Sequence, residues 1–212
     1  MTEQRTTRAF DAVILAGGRA SRLDGVDKPL LLLDGRTLLE RVLATAEGAA
    51  RTIVVGPPVP AALLGRAVAV REDPPFGGPV AALAAALPLL EHEPAPEWVL
   101  LLAGDLVDPA PAVEALLSTR TDGGAASLLA VDRDGRTQFL LGLHRTRELA
   151  RALRLLDRVE NASVRALLRP LPTLLVEVPA GSTDDVDDPA DARAHGIALP
   201  GAAHPGAEST HD

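Results

Sequence analysis

Ala12-Val13-Ile14-Leu15-Ala16-Gly17-Gly18-Arg19-Ala20-Ser21-Arg22-Leu23-Asp24-Gly25-Val26-Asp27-Lys28 is the stretch from which the rest of the chain is read. Ala12 to Leu15 is a short continuous apolar run, the pattern of a buried strand. It empties into Gly17-Gly18 and a loop carrying Arg19, Arg22 and Lys28, tempered by Asp24 and Asp27. Lys28 is the single lysine among 21 Lys and Arg residues. Arg presents a rigid planar fork, whereas Lys is a compact point charge suited to one phosphate oxygen. Paired glycines let backbone N–H groups approach a phosphate or a base edge closely. Neither common phosphate loop is present: a Walker A motif needs Ser or Thr after its Lys, where this chain has Pro29, and G-x-G-x-x-G spacing is absent. A loop that folds back can nevertheless aim Arg22 and Lys28 at one polyphosphate.

Working outward, strands and helices alternate. The pattern predicts a helix over Thr37–Ala49 with a stripe of Leu38, Leu39, Val42, Leu43 and Ala46, and strands at Thr52–Val55 and Ala67–Val70. A helix at Pro79–Leu90, a central strand at Val99–Leu102 and a helix at Pro111–Leu117 follow. Ala126–Val131 and Phe139–Leu143 flank a hairpin-like Asp132-Arg133-Asp134-Gly135 turn. Arg147–Leu156 and Ser163–Arg169 read as helices and Leu174–Val178 as the last strand. Asp108 before Pro109, and Asn161 with Ser163, read as helix caps, and Trp98 packs at the start of the central strand. Continuous apolar strands separated by helices predict an α/β fold, a mainly parallel sheet with helices on both faces. The expected domain covers residues 9–198, with disordered ends at 1–8 and 199–212.

Composition narrows the function. Apolar residues make up 47% but aromatics only 2%, so Leu, Val and Ala must build the core. The chain has no cysteine for a disulfide, thiolate metal site or nucleophile, and its five histidines lack ligand spacing. A net charge of −8 disfavours nonspecific nucleic-acid binding. The sequence shows no membrane-spanning run and no signal-peptide pattern, so a cytoplasmic location is expected.

Ligands of parallel sheets bind beyond the carboxyl ends of the strands. Three chemistry-bearing loops fall there: the one after Leu15, the one after Leu102, and the one around Asp73. Asp105, next to Gly104, is placed to hold Mg²⁺ against phosphate oxygens, since Mg²⁺ takes one or two carboxylates plus substrate phosphates. Asp184-Asp185-Val186-Asp187-Asp188-Pro189 crowds four carboxylates into a short acidic run. Asp188 reads as a helix cap, while Asp185 and Asp187 share a side if the segment is extended; Asp187 is the candidate second metal ligand. Asp73, in Asp73-Pro74-Pro75-Phe76-Gly77-Gly78-Pro79, is placed to accept hydrogen bonds from a base or ribose.

Together these motifs resemble the molybdenum cofactor guanylyltransferases, the MobA family of nucleotidyltransferases. The resemblance rests on Leu15-Ala16-Gly17-Gly18, Arg22, Gly25 and Asp27-Lys28, then Glu72-Asp73 with Gly78-Pro79, then Gly104-Asp105, then Asp185-Val186-Asp187-Asp188-Pro189. It implies a single Rossmann-like nucleotidyltransferase domain of the GT-A type. It also implies transfer of GMP from GTP to molybdopterin, with Mg²⁺ as cofactor and pyrophosphate as product. Carried over by position, Leu15, Ala16, Gly17 and Gly18 face the guanine or ribose, Lys28 and Arg22 the phosphates, Asp73 the nucleoside, and Asp105 the Mg²⁺. Implied partners are the two small-molecule substrates, with transient contacts to molybdopterin-synthesis proteins or acceptor molybdoenzymes. The chain departs from the family where Asp24 replaces a usual Gly, Leu106-Val107 a usual Met-Pro, and aspartates the asparagines of the late motif. Gly56-Pro57-Pro58 also lacks the amide side chains often found after the second strand. The readings left open are a nucleotidyltransferase with another base or acceptor (a molybdopterin cytidylyltransferase or sugar-phosphate type) and a noncatalytic nucleotide-binding protein that retains the fold.

Overall fold

A computed structural model of the protein describes residues 8–17, 27–121 and 123–199. Gly18, Arg19 and Arg22 lie outside the described residues, as do the two ends expected to be disordered apart from Arg8 and Leu199. Strand β1 (Phe10–Leu15) is buried at every position. Beyond the glycine loop comes a single 3-10 turn at Lys28–Leu30, then a ribbon of β2 (Leu32–Leu33) against β3 (Arg36–Thr37). The ribbon adds to the elements expected from periodicity, although its Asp34-Gly35 turn, with both residues at positive φ, is the pair that a two-residue hairpin favours. Helix α1 (Leu38–Thr45) starts in a capping box: Thr37 Oγ1 accepts from Glu40 N, and Glu40 Oε2 accepts from Thr37 N. It stops short of Ala49 because Ala50 N must reach Phe10 O on β1, at 2.8 Å.

Strand β4 (Thr52–Val55), helix α2 (Ala61–Leu64) and strand β5 (Val68–Val70) lead to α3 (Pro79–Leu90) and the central β6 (Trp98–Ala103). Helix α4 (Ala110–Ser118), strands β7 (Ser127–Val131) and β8 (Thr137–Arg145), and helices α5 (Thr146–Arg154) and α6 (Val164–Leu168) follow. Strand β9 (Thr173–Glu177) and helix α7 (Pro189–Ala194) complete the chain. Seven strands form one sheet in the order β5-β4-β1-β6-β8-β7-β9. All its neighbours pair in parallel except β8, which is antiparallel on both sides. Asp132 Oδ1 closes the β7–β8 hairpin by accepting from Asp134 N and Arg136 N.

Two expected caps are corrected. Pro109, not Asp108, occupies the cap of α4, without a side-chain hydrogen bond. Ser163 caps α6, but Asn161 does not; it sits at φ 57° and donates its N–H to Gly77 O at 2.6 Å. Asp188 does cap α7, accepting from Ala190 N and Asp191 N.

Alternation along β1 sends side chains to opposite faces. Ala12 and Ile14 pack with Leu39 and Val42 of α1 and Leu116 of α4. Val13 and Leu15 pack with Leu83 of α3 and Leu149 and Leu153 of α5. At the amino end of β6 the Trp98 ring is buried and carries two cation–π contacts, with the guanidinium carbons of Arg8 and Arg145 5.2 and 4.8 Å from its centroid.

At the carboxyl ends the backbones nearly touch. Ala16 N donates to Val55 O at 2.8 Å, Gly104 N to Leu15 O at 2.9 Å, and Gly56 N to Val70 O at 3.0 Å. A Cβ on Gly56 would lie 2.8 Å from the Ala16 carbonyl carbon, and one on Gly104 would lie 3.0 Å from Ala16 Cα. Neither obstacle can rotate away, because both are backbone. Gly56→Ala is therefore expected to lose about 1–3 kcal/mol in a denaturant titration. Gly124→Ala, which meets nothing within 4 Å, should stay within about 0.5 kcal/mol of the parent.

His144 on β8 is fully buried; its Nδ1 lies 2.8 Å from Ser127 Oγ, and its Nε2 has no partner among the described residues. Desolvation pushes its pKa from the ordinary 6.5 to about 4. The folded pKa is below the unfolded one, so the unfolded chain binds the extra proton between these values and stability falls as pH drops through that window. A shift of this size amounts to roughly 3 kcal/mol by pH 4. Stability measured from pH 7 down to pH 4 should decline less in a His144→Gln variant, which takes up no proton.

Candidate active site

The site is assembled by a small apolar cluster at the carboxyl end of the sheet: Leu31, Leu38, Val107, Val186, Ala192 and Ile197. Three of its members, Leu31, Val107 and Val186, carry polar neighbours into place. Leu31 anchors the 3-10 turn, whose N-terminal residue is Lys28, and its N–H donates to Lys28 O. Val107 lies two residues past Asp105, and its N–H donates to Asp184 O at 2.9 Å, while its carbonyl accepts from Arg41 Nε at 2.8 Å. A proline at 107 has no N–H for the first of these bonds. Val186, fully buried, stands between Asp185 and Asp187, and Asp185 pairs with Leu106 in a short antiparallel bridge.

As a result, residues far apart in sequence converge. Lys28 Nζ is 2.7 Å from Asp187 Oδ1 and 3.9 Å from Asp105 Oδ2. Lys28 and Asp105 are largely enclosed, whereas Asp187 is half exposed. Burial pushes the Asp105 carboxyl up; Lys28 pulls it down, and Asp187 pushes it up again. Asp185 is raised to about 6, first by desolvation and then by Asp187 and Asp105. Among the described residues the region is thus short of positive charge even with Lys28 in place. Asp105 and Asp187 supply hard oxygen donors, and no group of three or more metal-binding side chains is already arranged as a cage among the described residues. Two carboxylates completed by phosphate oxygens is a donor set that suits Mg²⁺.

These carboxylates open onto a cleft of about 470 Å³. Leu15 and Gly17 form one side of it, and Asp105, Asp185 and Asp187 the acidic part. Ala16 is buried behind them. Asp73 is exposed and does not line the cleft; its neighbour Glu72 does. Phe76 and Asn161 also line it. Phe76 was detectable as an aromatic in a Pro- and Gly-rich loop, but Asn161 reaches the cleft only through tertiary packing. A hollow of about 550 Å³ lies at the opposite end of the sheet, where Arg145 pairs with Glu97 and Arg154 with Glu91.

Three comparisons bear on this geometry. The sequence pattern of the MobA-like NTP transferase domain family matches residues 12–175. The chain is 40% identical over 97 residues to the molybdenum cofactor guanylyltransferase of Nitrobacter hamburgensis, a match covering 44% of this chain and 46% of that protein. It spans about half the length of the curated relatives it matches. Among solved structures, the fold resembles molybdopterin-guanine dinucleotide biosynthesis protein A from Archaeoglobus fulgidus (TM-score 0.64, 21% identity, 87% of this chain and 96% of that one). It also resembles the 2-C-methyl-D-erythritol 4-phosphate cytidylyltransferase of Thermus thermophilus (TM-score 0.59, 22% identity, 86% and 95%).

Asp185 provides a check on the electrostatics. Its folded pKa lies above its unfolded value, so its favourable contribution is present below pH ~3.9 and is lost as pH rises through about 6. Asp185→Asn should therefore be more stable than the parent at pH 8. The difference should narrow toward pH 4 in paired denaturant titrations.

Proposed function

Since the chain belongs to the MobA-like NTP transferase family, we propose that it is a molybdenum cofactor guanylyltransferase, joining GMP from GTP to molybdopterin. The observation that carries this reading is the convergence of Lys28, Asp105 and Asp187 at the carboxyl ends of β1 and β6. An oxygen of the molybdopterin phosphate attacks the α-phosphorus of GTP, the bond from that phosphorus to the bridging oxygen of the β-phosphate breaks, and pyrophosphate leaves. No enzyme nucleophile is needed, so catalysis comes from positioning and charge stabilisation.

Lys28 moves its charge from Asp187 and Asp105 onto the phosphates, where negative charge grows as pyrophosphate departs. Arg22 joins it in this reading by its place in the glycine loop. Asp105 and Asp187 are the residues that would hold Mg²⁺, which neutralises phosphate charge when bound. Leu15, Ala16, Gly17 and Gly18 offer backbone to the nucleoside, and Asp73, on the loop beside the cleft, is the residue that the family resemblance assigns to it. Both substrates are small molecules, with transient handover to molybdopterin-synthesis proteins or acceptor molybdoenzymes. No helix among the described residues is long and apolar enough to cross a membrane, and the acidic balance disfavours nucleic acid as a substrate. A cytoplasmic site of action fits this reading.

Pyrophosphate release with GTP, CTP, ATP and UTP, each with Mg²⁺ and molybdopterin, tests the assignment; GTP should be the preferred donor. Lys28→Ala is expected to lower kcat/KM by at least about tenfold, or ~1.4 kcal/mol. Lys28→Arg should recover only part of that loss, because a planar fork replaces a point charge. Asp105→Asn should abolish Mg²⁺-dependent turnover while the protein remains folded. Full activity in the Lys28 variants, or unchanged metal dependence in Asp105→Asn, is incompatible with these roles.

A further inference from the structure

The cleft has a wall that the phosphate chemistry does not use. Glu72 and Phe76 belong to the loop between β5 and α3, and both line the cleft together with Leu15 and Gly17. The Glu72 carboxylate curls back so that Oε1 accepts from Phe76 N at 3.1 Å, leaving Oε2 without a partner among the described residues. The glycine loop runs beside it: a Cβ on Gly17 would lie 3.9 Å from Glu72 Oε1. Phe76 is 48% exposed and held at φ 63°. A bulky residue in that left-handed region is strained and persists only when its surroundings determine it. Here they do, for the loop is tied at Glu72 on one side and at Gly77 O, by Asn161 N, on the other. A chain with three Phe, one Trp and no Tyr thus presents an aromatic ring to its cleft at a conformational cost.

We propose that Glu72 and Phe76 form a recognition site for a 2-amino-4-oxopyrimidine edge. Phe76 supplies a face on which the planar heterocycle stacks. Glu72 accepts hydrogen bonds from the ring N–H and the adjacent exocyclic amino group. Those neighbouring donors match the two oxygens of a carboxylate, and neither cytosine nor adenine presents them in that arrangement. Leu15 and Leu140, also on the cleft surface, give the flat ring apolar flanks. Guanine and a pterin both carry this edge, so the site reads the base of the donor or the head of the acceptor. The assignment rests on the nucleotidyltransferase reading above, but it places recognition on Glu72 where the sequence pointed to Asp73.

The test is calorimetric titration of the full chain, with Mg²⁺, against GTP, ITP (which lacks the 2-amino group) and free pterin. The parent should bind GTP about tenfold or more tightly than ITP, because ITP keeps the ring N–H but leaves the second carboxylate oxygen without its amino donor. Glu72→Gln should shrink that preference, weakening GTP, which loses two carboxylate contacts, more than ITP, which loses one. Phe76→Gly should weaken GTP and ITP alike by about tenfold, the scale of lost stacking. Its melting temperature should hold or rise, since glycine accepts positive φ freely; a merely structural Phe76 would instead lower it. If pterin rather than GTP shows these dependences, the edge being read is that of the acceptor and the site stands. GTP and pterin bound by both variants as by the parent would overturn the site while leaving the nucleotidyltransferase reading intact. Failure of the parent to bind either ligand would remove that reading as well.

Discussion

Ala16 is the point on which the architecture turns. Its N–H is held by Val55 of β4, the carbonyl before it by Gly104 after β6, and its backbone is approached by Gly56 and Gly104 more closely than any side chain allows. The central strands β1, β4 and β6 are buried on both faces, so the polar residues that meet a ligand there stand at the strand ends. Tight contact there puts the residues following three different strands within reach of one ligand. Asp105 follows Gly104 directly, so its position beside the glycine loop is set by main-chain packing rather than by its own interactions.

Charge is then brought to that point by apolar packing. Lys28, Asp105 and Asp187 lie in segments that share the Leu31, Val107 and Val186 cluster. Burial of those side chains offsets the repulsion among Asp105, Asp185 and Asp187, which otherwise drives the late acidic segment away. The Val107 N–H to Asp184 O bond adds a tie that the Met-Pro form of this loop lacks. The Leu106-Val107 segment and the late acidic segment are therefore joined through their main chains in this protein.

Much of this was legible beforehand. Apolar runs bounded by glycine and proline marked the strands of the main sheet, and the Asp132–Gly135 turn marked its hairpin, because those signals are local. Asp187 and Lys28 were visible as chemistry, but their 2.7 Å contact spans 159 positions and depends on cluster packing. Glu72 and Asp73 are adjacent, and that Glu72 is the one lining the cleft was not legible, because an irregular loop has no periodicity to say which side chain faces inward. Asn161 looked like a cap because Asn favours caps; tertiary contact with Gly77 won instead.

The contact of Trp98 with two arginines has a spectroscopic consequence. With no tyrosine in the chain, near-ultraviolet emission arises essentially from this one indole. It sits at the amino end of β6, whereas the carboxyl end at Ala103 is roughly 16 Å away along the strand and Asp105 lies beyond it. Intrinsic fluorescence therefore reports on the base of the sheet and the loosening of its cationic stack. Events in the cleft call for a chromophore installed at the other end of the same strand.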